Sequence, residues 1–64
     1  MKEVNPIKLA RLRKGITQSD LAAVMGVSIG TVSQWETGIT HPTPRRLKPL
    51  AKALETTVDE LLTG

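Results

Sequence analysis

The sequence predicts an all-α fold, a compact set of five short helices in a single domain spanning residues 1–64. Apolar residues recur at spacings of three and four and nowhere alternate, so the helical period is present and the strand period is absent. Residues that open helices (Asn5, Thr17, Ser28, Thr57) and glycines that close them (Gly15, Gly26, Gly38) mark off segments of two to three turns. The 64 residues, 39% apolar and without cysteine, allow one small core and no disulfide or thiolate-zinc staple. Stability must come from helices packing on one another.

Asn5-Pro6 places a good cap before a proline at the first helical position, and Gly15 ends that helix. Its inward side is expected to hold Ile7, Leu9 or Ala10, and Leu12. Thr17-Gln18-Ser19-Asp20 opens a second helix, with Asp20 in the place of the capping-box glutamate. Leu21, Val24 and Met25 repeat there at helical spacing before Gly26. Ser28 caps a third helix that turns Val32 and Trp35 inward and stops at Gly38. "THPTP" (40–44) reads as a loop. Pro49 sets the start of the fourth helix near Arg46, where the proline would fall in the tolerant first turn. Leu47, Leu50, Ala51 and Leu54 form its apolar stripe. Thr57-Val58-Asp59-Glu60 is a T-x-x-E capping box opening a short fifth helix, expected to bury Val58, Leu61 and Leu62.

Charge is unevenly placed. The chain carries nine Lys and Arg against six Asp and Glu. All nine cations lie in residues 1–52 with only Glu3, Asp20 and Glu36, which makes that body +6. The last twelve residues hold Glu55, Asp59 and Glu60, a tail of −3. A basic body suits a polyanion partner. Without Phe or Tyr there is no aromatic platform for single-stranded nucleic acid. The longest apolar run, Leu21–Val27, falls far short of the roughly 18 residues a membrane span needs, so a cytoplasmic protein is expected. One histidine, His41, no cysteine and scattered carboxylates offer neither a nucleophile–base pair nor a metal cluster. No enzyme, cofactor, metal or small-molecule ligand is expected.

The second and third helices are separated only by Gly26-Val27 before the Ser28 cap. So tight a turn sends them apart at a steep angle, as in a helix-turn-helix at about residues 17–38. The pattern requires a residue such as Gln18 at the opening and buried contacts at Leu21, Met25, Val27, Val32 and Trp35. It also needs a small residue under the crossing helix (Ala22) and a glycine at the turn (Gly26). All are present. With Val32 and Trp35 inward, the opposite face of the third helix presents Ser28, Ile29, Gly30, Ser33, Gln34 and Thr37. Glycine costs about 1 kcal/mol against alanine inside a helix, and an exposed isoleucine gains nothing from water. In the major groove both make sense: small residues let the backbone approach, Gln34 can pair with adenine, and Ile29 can lie on a thymine methyl. Ile29 sits about 60° beyond the Val32/Trp35 stripe on the helical wheel, outside the core side.

"GITQSDLAAVMGVSIGTVSQWETG" (15–38), followed by "LKPLAKALETTVDELLTG" (47–64), resembles the Cro/CI-type helix-turn-helix domain of lambdoid phage repressors and many bacterial regulators, the xenobiotic response element family. The resemblance runs from about Pro6 to Leu62. It implies a five-helix lambda-repressor-like DNA-binding domain that binds operator DNA, usually as a homodimer, and represses or activates transcription. Base contacts are expected from Ser28, Ile29, Gly30, Ser33 and Gln34. Phosphate contacts are expected from Thr17 and Gln18 at a helix N-terminus, from Thr31 and Thr37, and from Thr40, Arg45 and Arg46 after the third helix. The resemblance further implies that Arg11 pairs with Glu36, locking the recognition helix to the scaffold. Where family members often carry more cations between the third and fourth helices, this chain has Ile39, His41 and two prolines.

The implied partner is double-stranded DNA with a near-palindromic operator, read through the major groove by a homodimer that associates weakly off DNA. The alternative is a protein-interaction module of the same fold, such as an antitoxin. Antitoxins of this fold commonly carry extra segments for the toxin, and the chain ends two residues after Leu62, leaving little room.

Overall fold

The computed structural model describes residues 5–63, so Lys2 and Glu3 of the basic body lie outside the described residues. Five helices follow one another: α1 (Pro6–Lys14), α2 (Gln18–Met25), α3 (Ile29–Thr37), α4 (Pro44–Ala53) and α5 (Val58–Thr63), with no strand among the described residues.

Their ends are built from local chemistry. The Asn5 Oδ1 accepts from the N–H groups of Ile7 (2.8 Å) and Lys8 (3.3 Å), and Pro6 sits at the first position of α1. Thr17 and Asp20 form a reciprocal box: Asp20 N–H donates to Thr17 Oγ1, and Thr17 N–H to Asp20 Oδ2, each at 3.0 Å. Ser28 Oγ accepts from Thr31 N–H at 3.1 Å, and Thr57 Oγ1 from Glu60 N–H at 3.1 Å. Those bonds satisfy donors that a helix start leaves without a partner.

The fourth helix departs from expectation. It starts at Pro44 rather than near Arg46, and Pro49 lies inside it, in the second turn. The two prolines have different costs. Pro44 at the first position forfeits an N–H that would be unpaired anyway. Pro49 removes the bond to the Arg45 carbonyl, but both residues are exposed and water can serve that oxygen. The longer helix gains a continuous inward face, with Leu50 and Ala51 buried and Leu47 half-buried. Packing outweighs one lost backbone bond.

Ile7, Leu21, Ala22, Val32, Trp35, Leu50, Ala51, Leu54 and Leu61 make the core, with Ile16, Met25, Val27 and Val58 packed around it. α2 packs on α3 and α4, α1 bridges α3 and α5, and α4 closes on α5. Three expected core residues are outside: Leu12 is 52% exposed, Val24 67% and Leu62 62%. On α1 the inward position of the last turn is taken by Arg11, which displaces Leu12 to the surface. Leu21 and Ala22 already fill the seat α2 offers, so Val24 turns outward beside Arg45, Arg46 and Pro49. α5 is too short to bury two adjacent leucines, and Leu61 takes the inward place.

Candidate nucleic-acid interface

The turn between α2 and α3 depends on Gly26, whose φ of 69° is in the left-handed region. Its N–H and that of Val27 return to the carbonyls of Ala23 (3.3 Å) and Ala22 (3.0 Å), closing α2 while Val27 folds under onto the core. Ser28 then restarts the helix at once.

On α3 the inward side is Val32, Trp35 and Glu36, all buried. Ser28, Ile29, Gly30, Gln34 and Thr37 are exposed, while Thr31 and Ser33 are half-buried. Ile29 belongs to no part of the core. A methyl built on Gly30 would meet nothing nearer than Ser28 Oγ at 3.8 Å, an ordinary contact, so packing within the chain does not require glycine there. This face carries no charge.

Around it, the expected contact residues have defined local roles. Thr17 caps α2, and Thr31 Oγ1 lies 2.9 Å from Ser28 Oγ. Thr37 Oγ1 donates to Gln34 O at 3.3 Å, and Thr40 N–H reaches the same carbonyl at 3.3 Å. Arg45 is exposed at the start of α4. The exposed Arg46 donates from Nη1 to Met25 O at 3.3 Å, which seats it against the C-terminal end of α2.

Behind the face lies a buried ionic anchor. Arg11 donates from Nε to Glu36 Oε2 at 2.6 Å and from Nη2 to Oε1 at 3.2 Å. Arg11 Nη1 also holds Ile16 O at 2.8 Å. The bond to Glu36 raises the Arg11 pKa above its ordinary value, aided by the Glu36 charge and opposed by burial. Gln18 joins the cluster, donating from Nε2 to Glu36 Oε1 at 3.0 Å. One carboxylate on the third helix therefore ties together α1 and the first residue of α2, and Arg11 in turn holds the loop between them. Asp20 is the other perturbed group. Bonds from the Thr17 backbone N–H and hydroxyl lower its pKa.

Three contacts were not foreseen from sequence. Gln18 binds Glu36; Asn5 Nδ2 donates to Trp35 O at 3.1 Å; and Lys14 pairs with Glu55 across α1 and the end of α4. Glu55 adopts a φ of 56° just past that helix, a place where glycine is usual. Among the described residues no three metal-ligating side chains converge, and no helix is long and apolar enough to cross a membrane.

Two short helices joined at a left-handed glycine, the second anchored from behind and presenting a bare outer face, define a helix-turn-helix domain. The profile of the family described as Helix-turn-helix matches residues 7–61, from α1 into α5, and the chain belongs to that family. It is 42% identical over 59 residues to the HTH-type transcriptional activator BcrR of Enterococcus faecalis, covering 89% of this chain and 29% of that protein. It is 40% identical over 58 residues to Repressor protein C2 of Salmonella phage P22, covering 91% of this chain and 27% of the repressor. With the cryptic phage CTXphi transcriptional repressor RstR of Vibrio cholerae it shares 39% over 56 residues, 84% of this chain and 50% of RstR. The chain thus spans between 27% and 50% of the length of these relatives.

Proposed function

We propose that this chain is a sequence-specific DNA-binding transcriptional regulator, a phage-type repressor that reads an operator through the major groove with the outer face of α3. The observation that carries the reading is the pairing of Ile29 and Gly30 on that face. One is apolar and half-exposed, the other is a glycine that no internal contact demands. Ser28, Ile29, Gly30, Ser33 and Gln34 face the bases. Thr17, Gln18, Thr31, Thr37, Thr40, Arg45 and Arg46 lie along the phosphates, which supply affinity rather than sequence choice. Two of the three relatives above are named as repressors, which favours repression over activation.

The acting form is a homodimer on a near-palindrome. The described chain measures 32 × 22 × 20 Å, so its single recognition helix reaches one groove segment and a few base pairs. Two copies with helices about 34 Å apart read two half-sites one turn apart. The exposed Leu62 and the adjoining part of α5 lend the contact surface. The protein acts in the cytoplasm and catalyses no reaction.

Selection from random duplex DNA, followed by titration of the recovered site at several salt concentrations, tests this. With about four to six phosphates neutralised, log affinity should fall against log salt with a slope of about −4 to −5. Footprints should cover two half-sites together. A flat salt dependence removes DNA as the main ligand, and protection of one half-site at saturation removes the dimer.

A further inference from the structure

We propose that Asn5 is a positioning residue for the recognition helix, one side chain that caps two helix ends at once. Its Oδ1 serves the first turn of α1 through Ile7 and Lys8 N–H. Its Nδ2 crosses thirty residues of sequence to donate to Trp35 O, in the last turn of α3. At that end of α3 the donors gather on Gln34 O rather than on Trp35 O. Gly38 and Ile39 fold back through their N–H groups, but the Gly38 bond to Trp35 O is stretched to 3.4 Å while Gln34 O receives Ile39 at 3.1 Å and Thr40 at 3.3 Å. Asn5 supplies the second, shorter bond to Trp35 O.

The residue type is the informative part. Ser and Asp cap a helix start as well as Asn does, because capping needs only an acceptor. Among these side chains only Asn brings an N–H2 group as well as the acceptor. Asn5 uses both halves of its amide, on two different helices. The second hold on α3 from α1 is Arg11 on Glu36, one residue beyond Trp35. Asn5 and Arg11 therefore grip adjacent residues of the third helix from the two ends of the first. Because α3 carries the groove-facing residues, a small rotation of its last turn shifts Gln34 relative to the bases. This inference rests on the DNA-reading role proposed above.

Asn5→Asp and Asn5→Ser keep an acceptor for α1 and remove the amide donor to Trp35. Hydrogen exchange on the free protein tests the grip without DNA. In both variants the amides of Gly38, Ile39 and Thr40 should exchange about twofold to tenfold faster, the loss expected for one hydrogen bond. Ile7 and Lys8 should exchange as before. The ratio of affinity for the selected duplex over a scrambled duplex of equal length should fall by a similar factor, with the scrambled duplex bound as tightly as by the parent. Unchanged exchange at residues 38–40 overturns the double cap. Faster exchange with an unchanged affinity ratio overturns the positioning role. If the parent chain prefers no duplex at all, the DNA reading fails, and exchange alone decides whether Asn5 holds α3.

Discussion

Glu36→Gln keeps the shape of the side chain and removes one buried charge. Three N–H groups converge on the carboxylate: Arg11 Nε and Nη2, and Gln18 Nε2. A carboxamide offers a single oxygen, so its own N–H2 group must face at least one of these donors. The guanidinium, whose side chain is 9% exposed, is left without its counter-ion. Stranding one member of a buried pair costs about 3–5 kcal/mol. Arg11 keeps its bond to Ile16 O and one bond to the new amide oxygen, so about 3 kcal/mol is the reasonable figure. A domain of 64 residues has on the order of 3–10 kcal/mol in total. At about 4–8 °C per kcal/mol for so small a domain, Tm should fall by roughly 12 °C or more. Far-UV circular dichroism melts read this directly.

The same reasoning dictates what rescues the loss. Arg11→Met alone strands the carboxylate instead and should also melt early. Arg11→Met combined with Glu36→Leu removes both charges and should melt above either Glu36→Gln or Arg11→Met, since replacing a buried pair whole costs less than breaking it. Affinity of Glu36→Gln should drop for the selected and the scrambled duplex, and more for the selected one, because the scaffold and a hold on α3 are lost together. An unchanged Tm, or a double variant that melts no higher than Glu36→Gln and Arg11→Met, would refute the account of the anchor.

Gln34→Ala should lose about 1–3 kcal/mol on the selected duplex and relax preference at one or two base pairs, with scrambled DNA bound as before. Arg46→Ala should weaken every duplex about equally and lower the salt slope by about one; both variants should stay folded. Gly30→Ala should raise stability by up to about 1 kcal/mol, because alanine is the better helix former and the space is open. It should at the same time weaken binding to the selected site; tighter or equal binding would show that α3 does not approach the groove at that residue. Asp20 has a lowered pKa in the fold, so its stabilisation is present above the ordinary carboxylate range and is lost as pH falls through its folded value. Asp20→Asn should flatten that part of the acid-side loss in a series of thermal melts.

Helix ends were legible because capping is local. Asn5, Thr17, Ser28 and Thr57 each bind N–H groups two or three residues on, within the same stretch of sequence that suggested them. The start of α4 is not legible locally, because the penalty at Pro49 competes with packing by Leu50 and Ala51, whose partners are distant in sequence. The same limit explains Leu12, Val24 and Leu62. Helical spacing gives a stripe, but the width of the seat each stripe fills is decided by neighbouring helices. At α1 that seat accepts Arg11, since Glu36 arrives from twenty-five residues away to neutralise it.

The outer face of α3 was legible for a different reason. Helix propensity argues against Gly30, solvation argues against an exposed Ile29, and the structure adds that neither is required by the core. Residues unexplained by folding point to something outside the chain. Asn5 extends that logic inward. As a cap it is replaceable by serine, so local helix formation accounts for its oxygen and leaves its nitrogen unexplained until Trp35 is brought against it. Gln18 follows the same pattern: any good helix former could open α2, but only a donor can join the Glu36 cluster. In both cases the surplus chemistry is spent on α3. Four of the long-range side-chain bonds thus converge on one helix, as the proposed reading of base edges through that helix requires.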